Sequence, residues 1–256
     1  MTARLFIAFL VLIAGAVVGL SFLYLSRRTA ARVALGLLIW LGYVGALGYA
    51  GVLQNLSLRP PGIAYVLIPV FLFMGLAIIR SPAALKVALA MPLPLLLGAQ
   101  SFRIGVELLL NQLWLDGVVP KMLTFEGANV DIFIGASAPL VAWIATRGRT
   151  GMRLALGWSA LGLIALANVA IRSAMTAPGP FNLLHTEVPN LAISTFPFFY
   201  IAAFFAPLAV ALHILAIRAM RAAPRTAKPE PKAESDAAGA SRTSQFGGVT
   251  FNGETR

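Results

Sequence analysis

The sequence predicts an all-α fold: a polytopic seven-helix transmembrane bundle, N-terminus outside, C-terminus inside, with a disordered cytoplasmic tail. Three observations predict it. Of 256 residues, 59% are hydrophobic and 11% charged, with a mean hydropathy of +0.85, whereas soluble domains carry about 25% charged residues. Several uncharged runs are long enough to cross a bilayer. The basic residues collect in alternate loops, as they do on the inner side of membrane proteins. The net charge of +11 is therefore a topology signal, and no nucleic-acid partner is implied. With no cysteine in the chain, disulfides, thiolate catalysis and Cys-ligated metal centres are excluded.

The first span is predicted over residues 5–25, which hold no charge. A cleaved signal peptide is the rival reading, on the small residues Ala14, Gly15 and Ala16. The stronger positive flank (Arg27, Arg28, Arg32) follows the run, which favours a span with its N-terminus outside. Residues 33–53 form the second span, rich in glycines suited to close helix contact. The third covers 63–79 and ends inside at Arg80 and Lys86. The fourth covers 87–114, with Pro92 and Pro94 expected to kink or break it. The fifth, 130–146, descends to Arg147, Arg149 and Arg153. The sixth, 154–172, rises to an outer loop, and the seventh occupies 191–217, interrupted by Pro197 and Pro207. Residues 1–221 are thus the membrane domain, and the Ala-, Pro- and Ser-rich stretch 222–256 is expected to be disordered.

One stretch carries chemistry. Gln100, Arg103, Glu107, Asn111 and Trp114 are spaced three or four apart and share one stripe of a helix. Arg103 and Glu107, four apart, are positioned to pair. Counted from Val87, Arg103 stands about 24 Å up, toward the outer side. Asp131 and Arg172 reach similar heights, with Asn111, Glu126, Asn129 and Asn168 at the same end. The expectation is an outer vestibule for a small polar ligand or ion, in which Asp131 and Glu126 balance Arg172. The plainer alternative is a self-satisfied polar network that binds nothing.

His185 and Glu187 are weak metal-ligand candidates, a solvated loop histidine being the simpler reading. His213 reads as an inner-interface residue, and the two histidines lie too far apart in depth to share a haem. No cofactor is implied. Phosphate-loop and nucleophile-elbow motifs are absent.

Phe102-Arg103, Val106-Glu107, Gly117 with Pro120, Thr124-Phe125-Glu126-Gly127, Asn129, Asp131-Ile132, and Gly135 with Ala138-Pro139 form a pattern. It resembles a segment shared by a family of uncharacterised bacterial integral membrane proteins. The resemblance implies a multi-pass protein of a bacterial inner membrane and transfers no activity and no catalytic residue. Three roles remain open on the residues. The first is binding, sensing or moving a small polar solute or ion. The second is a membrane-embedded enzyme using Glu107 or Glu126 at the outer face. The third is a structural subunit that joins a membrane partner or a second copy through its glycine-rich spans.

Overall fold

The computed structural model describes residues 1–179 and 182–222, and every regular element among them is helical. The stretch expected to be disordered lies, from residue 223 on, outside the described residues. Helix α1 (Thr2–Tyr24) ends in two non-helical residues, and Ser26 opens α2 (Arg27–Tyr49) by accepting the Thr29 N–H. Gly51, at φ 72°, makes the reversal that follows.

Helix α3 (Ala64–Leu72) contains Pro69 and continues as π-helical turns over Phe73–Arg80. Proline denies the helix one N–H, and the ladder downstream widens. Ser81 then caps α4 (Pro82–Ala90), which is bent 70° from α3. Of the two prolines expected to kink or break the fourth span, Pro92 breaks it and Pro94 sits in the first turn of the helix that follows. Met91 and Pro92 are extended, because the residue before a proline is driven out of the helical region. Helix α5 (Leu93–Gly98), one 3-10 turn and α6 (Phe102–Leu115) then form one apolar traverse, Leu93–Leu115. That traverse starts six residues later than Val87, the predicted start.

Helix α7 (Asp131–Ile144) has 14 residues, about 21 Å. Gly148, at φ 79°, starts α8 (Gly148–Thr176). The last traverse begins at Ile201 rather than 191, after Pro197, with π-helical turns leading into α9 (Ala206–Ala222).

Among the described residues, five helices are long and apolar enough to cross a membrane, or six when the bent α3–α4 pair counts as one span. Contacts sort the helix ends into two groups. At one end Thr2 Oγ1 donates to Asp116 (2.6 Å) and the Lys121 N–H donates to Glu187 (2.6 Å). At the other, Arg218 donates to the carbonyls of Ile78 (2.6 Å), Ile79 (3.0 Å) and Ser81 (2.9 Å), closing the C-terminal end of the third helix.

Two apolar clusters hold the helices together. Around α1, Phe6 meets Phe198 and Phe205 edge-on, with centroids 5.4 and 5.7 Å apart. Between α4, α5, α7 and α9 the buried residues are mostly small, among them Ala84, Ala88, Ala142 and Ala216. Small side chains let backbones approach, which is how helices associate where lipid offers no hydrophobic drive.

Candidate functional site

The polar stripe of α5–α6 faces the interior of the bundle. Arg103 and Glu107 are each 2% exposed, Asp131 is 5% exposed, and Gln100 and His213 are fully enclosed. Arg103 lies about 15 Å from the Leu93 end of its traverse and about 18 Å from the Leu115 end. It therefore sits near the middle of that traverse and not toward its Leu115 end. Moving the helix start from Val87 to Leu93 accounts for the shift of about 9 Å.

Asp131 is the first residue of α7, where the helix dipole favours a carboxylate. It forms a salt bridge with Arg103. The two helices meet closely there. A Cβ on Gly135, one turn along α7, would stand 3.0 Å from the Ile104 backbone nitrogen and 3.4 Å from Arg103 Cβ. Arg103 Nη1 also reaches His213 Nε2 of α9 at 3.1 Å. A guanidinium only donates, so Nε2 accepts and the ring proton belongs on Nδ1. Room for the imidazole comes from Gly162 of α8, where a Cβ would fall on the ring, and Trp158 closes its edge with centroids 5.3 Å apart.

Asn129 ties the network to the loop before α7. Its Oδ1 accepts the Asp131 N–H (3.0 Å), and its Nδ2 donates to Glu107 Oε1 (2.7 Å) and to the Leu123 carbonyl (3.0 Å). Glu107 Oε2, Arg103 Nε and His213 Nδ1 are buried without a hydrogen-bond partner among the described residues. Arg103, Glu107 and Asp131 line a cavity of about 40 Å³ whose other walls are apolar, among them Phe102, Leu166 and Phe205. That is room for a few water-sized occupants, at about 10–15 Å³ each.

The structure corrects several expectations. Arg103 pairs with Asp131, leaving Glu107 to Asn129. Arg172 is not balanced by Asp131 or Glu126. Its Nε donates to Asn168 Oδ1 (2.8 Å), and the Asn168 amide donates to the Ala128 carbonyl (3.2 Å). Glu126 is exposed, 3.9 Å from Lys121. Asn111 is half-buried, its Oδ1 without a partner. Gln100 donates to the Ala209 carbonyl (3.0 Å) beside the cluster without lining the cavity. His185 is exposed and Glu187 is engaged by the Lys121 backbone; no group of metal-ligating side chains occurs among the described residues. His213, expected at the inner interface, instead joins Arg103, Glu107 and Asp131 in the buried cluster.

No curated protein and no solved structure matches the chain. A family profile spans the stretch from the turn before α3 to the end of α9. Residues 60–221, which hold every member of the buried cluster, match the family described as a domain of unknown function (DUF8737), and the chain belongs to that family.

Proposed function

We propose that this is a seven-traverse protein of a bacterial inner membrane, N-terminus outside and C-terminus inside, that binds a small cation or polar solute in its buried cluster to sense or move it. The observation that carries the reading is the cavity shared by Arg103, Glu107 and Asp131. With both carboxyl groups ionised, the cluster carries one negative charge more than Arg103 neutralises. An uncompensated buried carboxylate costs several kcal/mol, of order 3–5. The site is therefore complementary to one further positive charge, delivered as a proton or as a monovalent cation. Glu107 Oε2, unpartnered and buried, is the atom available to receive it.

The orientation is supported by the grouping of Arg27, Arg28, Arg32, Arg80, Lys86, Arg147, Arg149 and Arg153 at the helix ends around alternate junctions. An enzymatic role at Glu107 is disfavoured because the cavity admits no substrate beyond a few atoms. Glu126 lies on the surface beside Lys121 rather than in a groove. A structural role in a larger assembly has one observation in its favour: Gly15, Gly19, Gly36 and Gly42 leave open space along α1 and α2. A membrane partner that co-purifies in fixed proportion would support that second reading.

The test is the unfolding midpoint of the purified chain in detergent across a series of Li⁺, Na⁺ and K⁺ concentrations and of pH. A binding cation stabilises the folded chain by linkage, by about 2.7 kcal/mol at one hundred times its dissociation constant, and so raises the midpoint. Wild type should respond to at least one cation, the proton included, and Glu107→Gln should abolish that response. The reading is overturned if no response depends on Glu107.

A further inference from the structure

We propose that a groove at the Thr176 end of α8 binds the headgroup phosphate of an anionic phospholipid, with Arg172 as its anchor. The groove is lined by Met122, Asn168, Ile171, Arg172, Met175 and Leu184 and encloses about 310 Å³. It shares no residue with the cavity at Arg103, so it stands apart from the cation site.

Its polar end is preorganised. Arg172 Nε is held by Asn168 Oδ1, and Asn168 is in turn held by the Ala128 carbonyl. That leaves both terminal nitrogens of the guanidinium without a hydrogen bond, and Arg172 without an ion pair, among the described residues. Among the described residues no carboxylate lines the groove. A guanidinium fixed through Nε presents its two terminal NH2 groups as one end-on fork, a geometry that grips a pair of phosphate oxygens. The other walls are apolar and adaptable: two thioethers, an isoleucine and a leucine.

Placement selects the source of the phosphate. Arg172 lies one turn from the end of a 29-residue apolar helix, about where lipid headgroups begin. Ile171 beside it is 58% exposed on the surface that lipid covers. An acyl chain leaving the headgroup would run along Ile171 and Met175. A free phosphate would leave those apolar walls unused. Anionic headgroups are favoured over zwitterionic ones because they bring no ammonium group against Arg172.

The experiment compares three additives on the full chain purified in a neutral detergent: dioleoylphosphatidylglycerol, dioleoylphosphatidylcholine and glycerol phosphate. Phosphatidylglycerol should raise the unfolding midpoint of wild type by several degrees more than phosphatidylcholine, and glycerol phosphate should leave it unchanged. Arg172→Gln should lose the excess, and Arg172→Lys should keep part of it, having charge without the fork. Equal shifts from the two lipids, or an excess that survives in Arg172→Gln, overturn the proposal. A shift from glycerol phosphate as large as that from the lipid overturns the lipid assignment. Native mass spectrometry of wild type gives a readout that needs no variant: phosphatidylglycerol adducts should outlast phosphatidylcholine adducts as collision energy rises, and equal persistence counts against the site.

Discussion

Trp40 donates its indole N–H to the carbonyl of Ala203 at 2.8 Å. Ala203 precedes Pro207 by four residues, so its carbonyl has no helical N–H of the usual register to accept. The same relationship recurs one turn along α2. Tyr43 donates to the carbonyl of Tyr65 at 3.1 Å, four residues before Pro69. Helix α2 lies outside the matched family region, yet it supplies donors to two carbonyls that prolines inside that region deprive of their α-helical N–H donor. In lipid an unpaired carbonyl finds no water, which gives these bonds their value. Trp40→Phe and Tyr43→Phe should each lower stability by about 0.5–1.5 kcal/mol. In Pro207→Ala, where the helical donor is restored, Trp40→Phe should cost measurably less. Equal costs in the two backgrounds, read from denaturation in mixed micelles, would show that the indole bond does not compensate for the proline.

The buried pairing of Arg103 gives a second prediction. Removing one partner of a buried ion pair leaves the other charge uncompensated, at about 3–5 kcal/mol. Arg103→Ala and Asp131→Ala should each fall in that range, and the double variant should be less destabilised than the sum of the two. Arg103→Ala/Glu107→Ala should recover less of its own sum, because Asp131 is still left without its guanidinium. Thermal unfolding of these variants, with Glu107→Ala to complete the second cycle, decides between these partners.

That contrast marks where sequence reasoning reaches its limit. The stripe from Gln100 to Glu107 was legible because helical spacing alone puts those residues on one face. Arg103 and Glu107 looked like partners for the same reason. Who pairs with whom depends on the register among α6, α7 and α9. That register follows from a break at Pro92 and a close approach at Gly135, and neither is a matter of periodicity. Depth failed for a related cause: counting from Val87 includes residues that belong to α4 and to the break. His213 was missed because its own helix surrounds it with Ala209, Ala216 and Ile217, so no spacing on α9 points to a charge partner. The usable signal lay on α8, where Trp158 and Gly162, four apart, form the wall and the gap that hold an imidazole.

A third prediction concerns the end of the bundle that carries the N-terminus. The Thr2 hydroxyl, and after it the Gln112 amide, donate to the Asp116 carboxylate and hold its pKa below the usual carboxylate range. A depressed carboxyl contributes to stability above its unfolded-state value and loses that contribution as pH falls through the folded one. The tie between α1 and the end of α6 should therefore persist at neutral pH and weaken only in strong acid. Thr2→Val removes the larger cause, so the Asp116 titration should move upward, toward the usual carboxylate range. Carboxyl-carbon NMR measures this directly, and an unmoved midpoint would count against the Thr2 contact.

The fourth prediction tests whether His213 is held in place by the helix opposite. A Cβ at Gly162 would fall on His213 Nε2 and Cε1, and Nε2 is the atom that accepts from Arg103. Gly162→Ala must therefore displace the ring and break that bond together. Over-packing of this kind costs about 1–3 kcal/mol. His213→Ala also destabilises, since it strips an acceptor from a buried guanidinium, at about 1–3 kcal/mol. The two effects share one cause, so they should not add: with the ring gone, a methyl group at 162 has space to occupy. Gly162→Ala/His213→Ala should be no less stable than His213→Ala alone. Gly157→Ala on the same helix is the control, because nothing lies within 4 Å of its would-be Cβ. There alanine's better helix propensity should raise stability by up to about 1 kcal/mol. If Gly162→Ala behaves like that control, the imidazole does not occupy the gap, and the contact between Arg103 and His213 is lost with it.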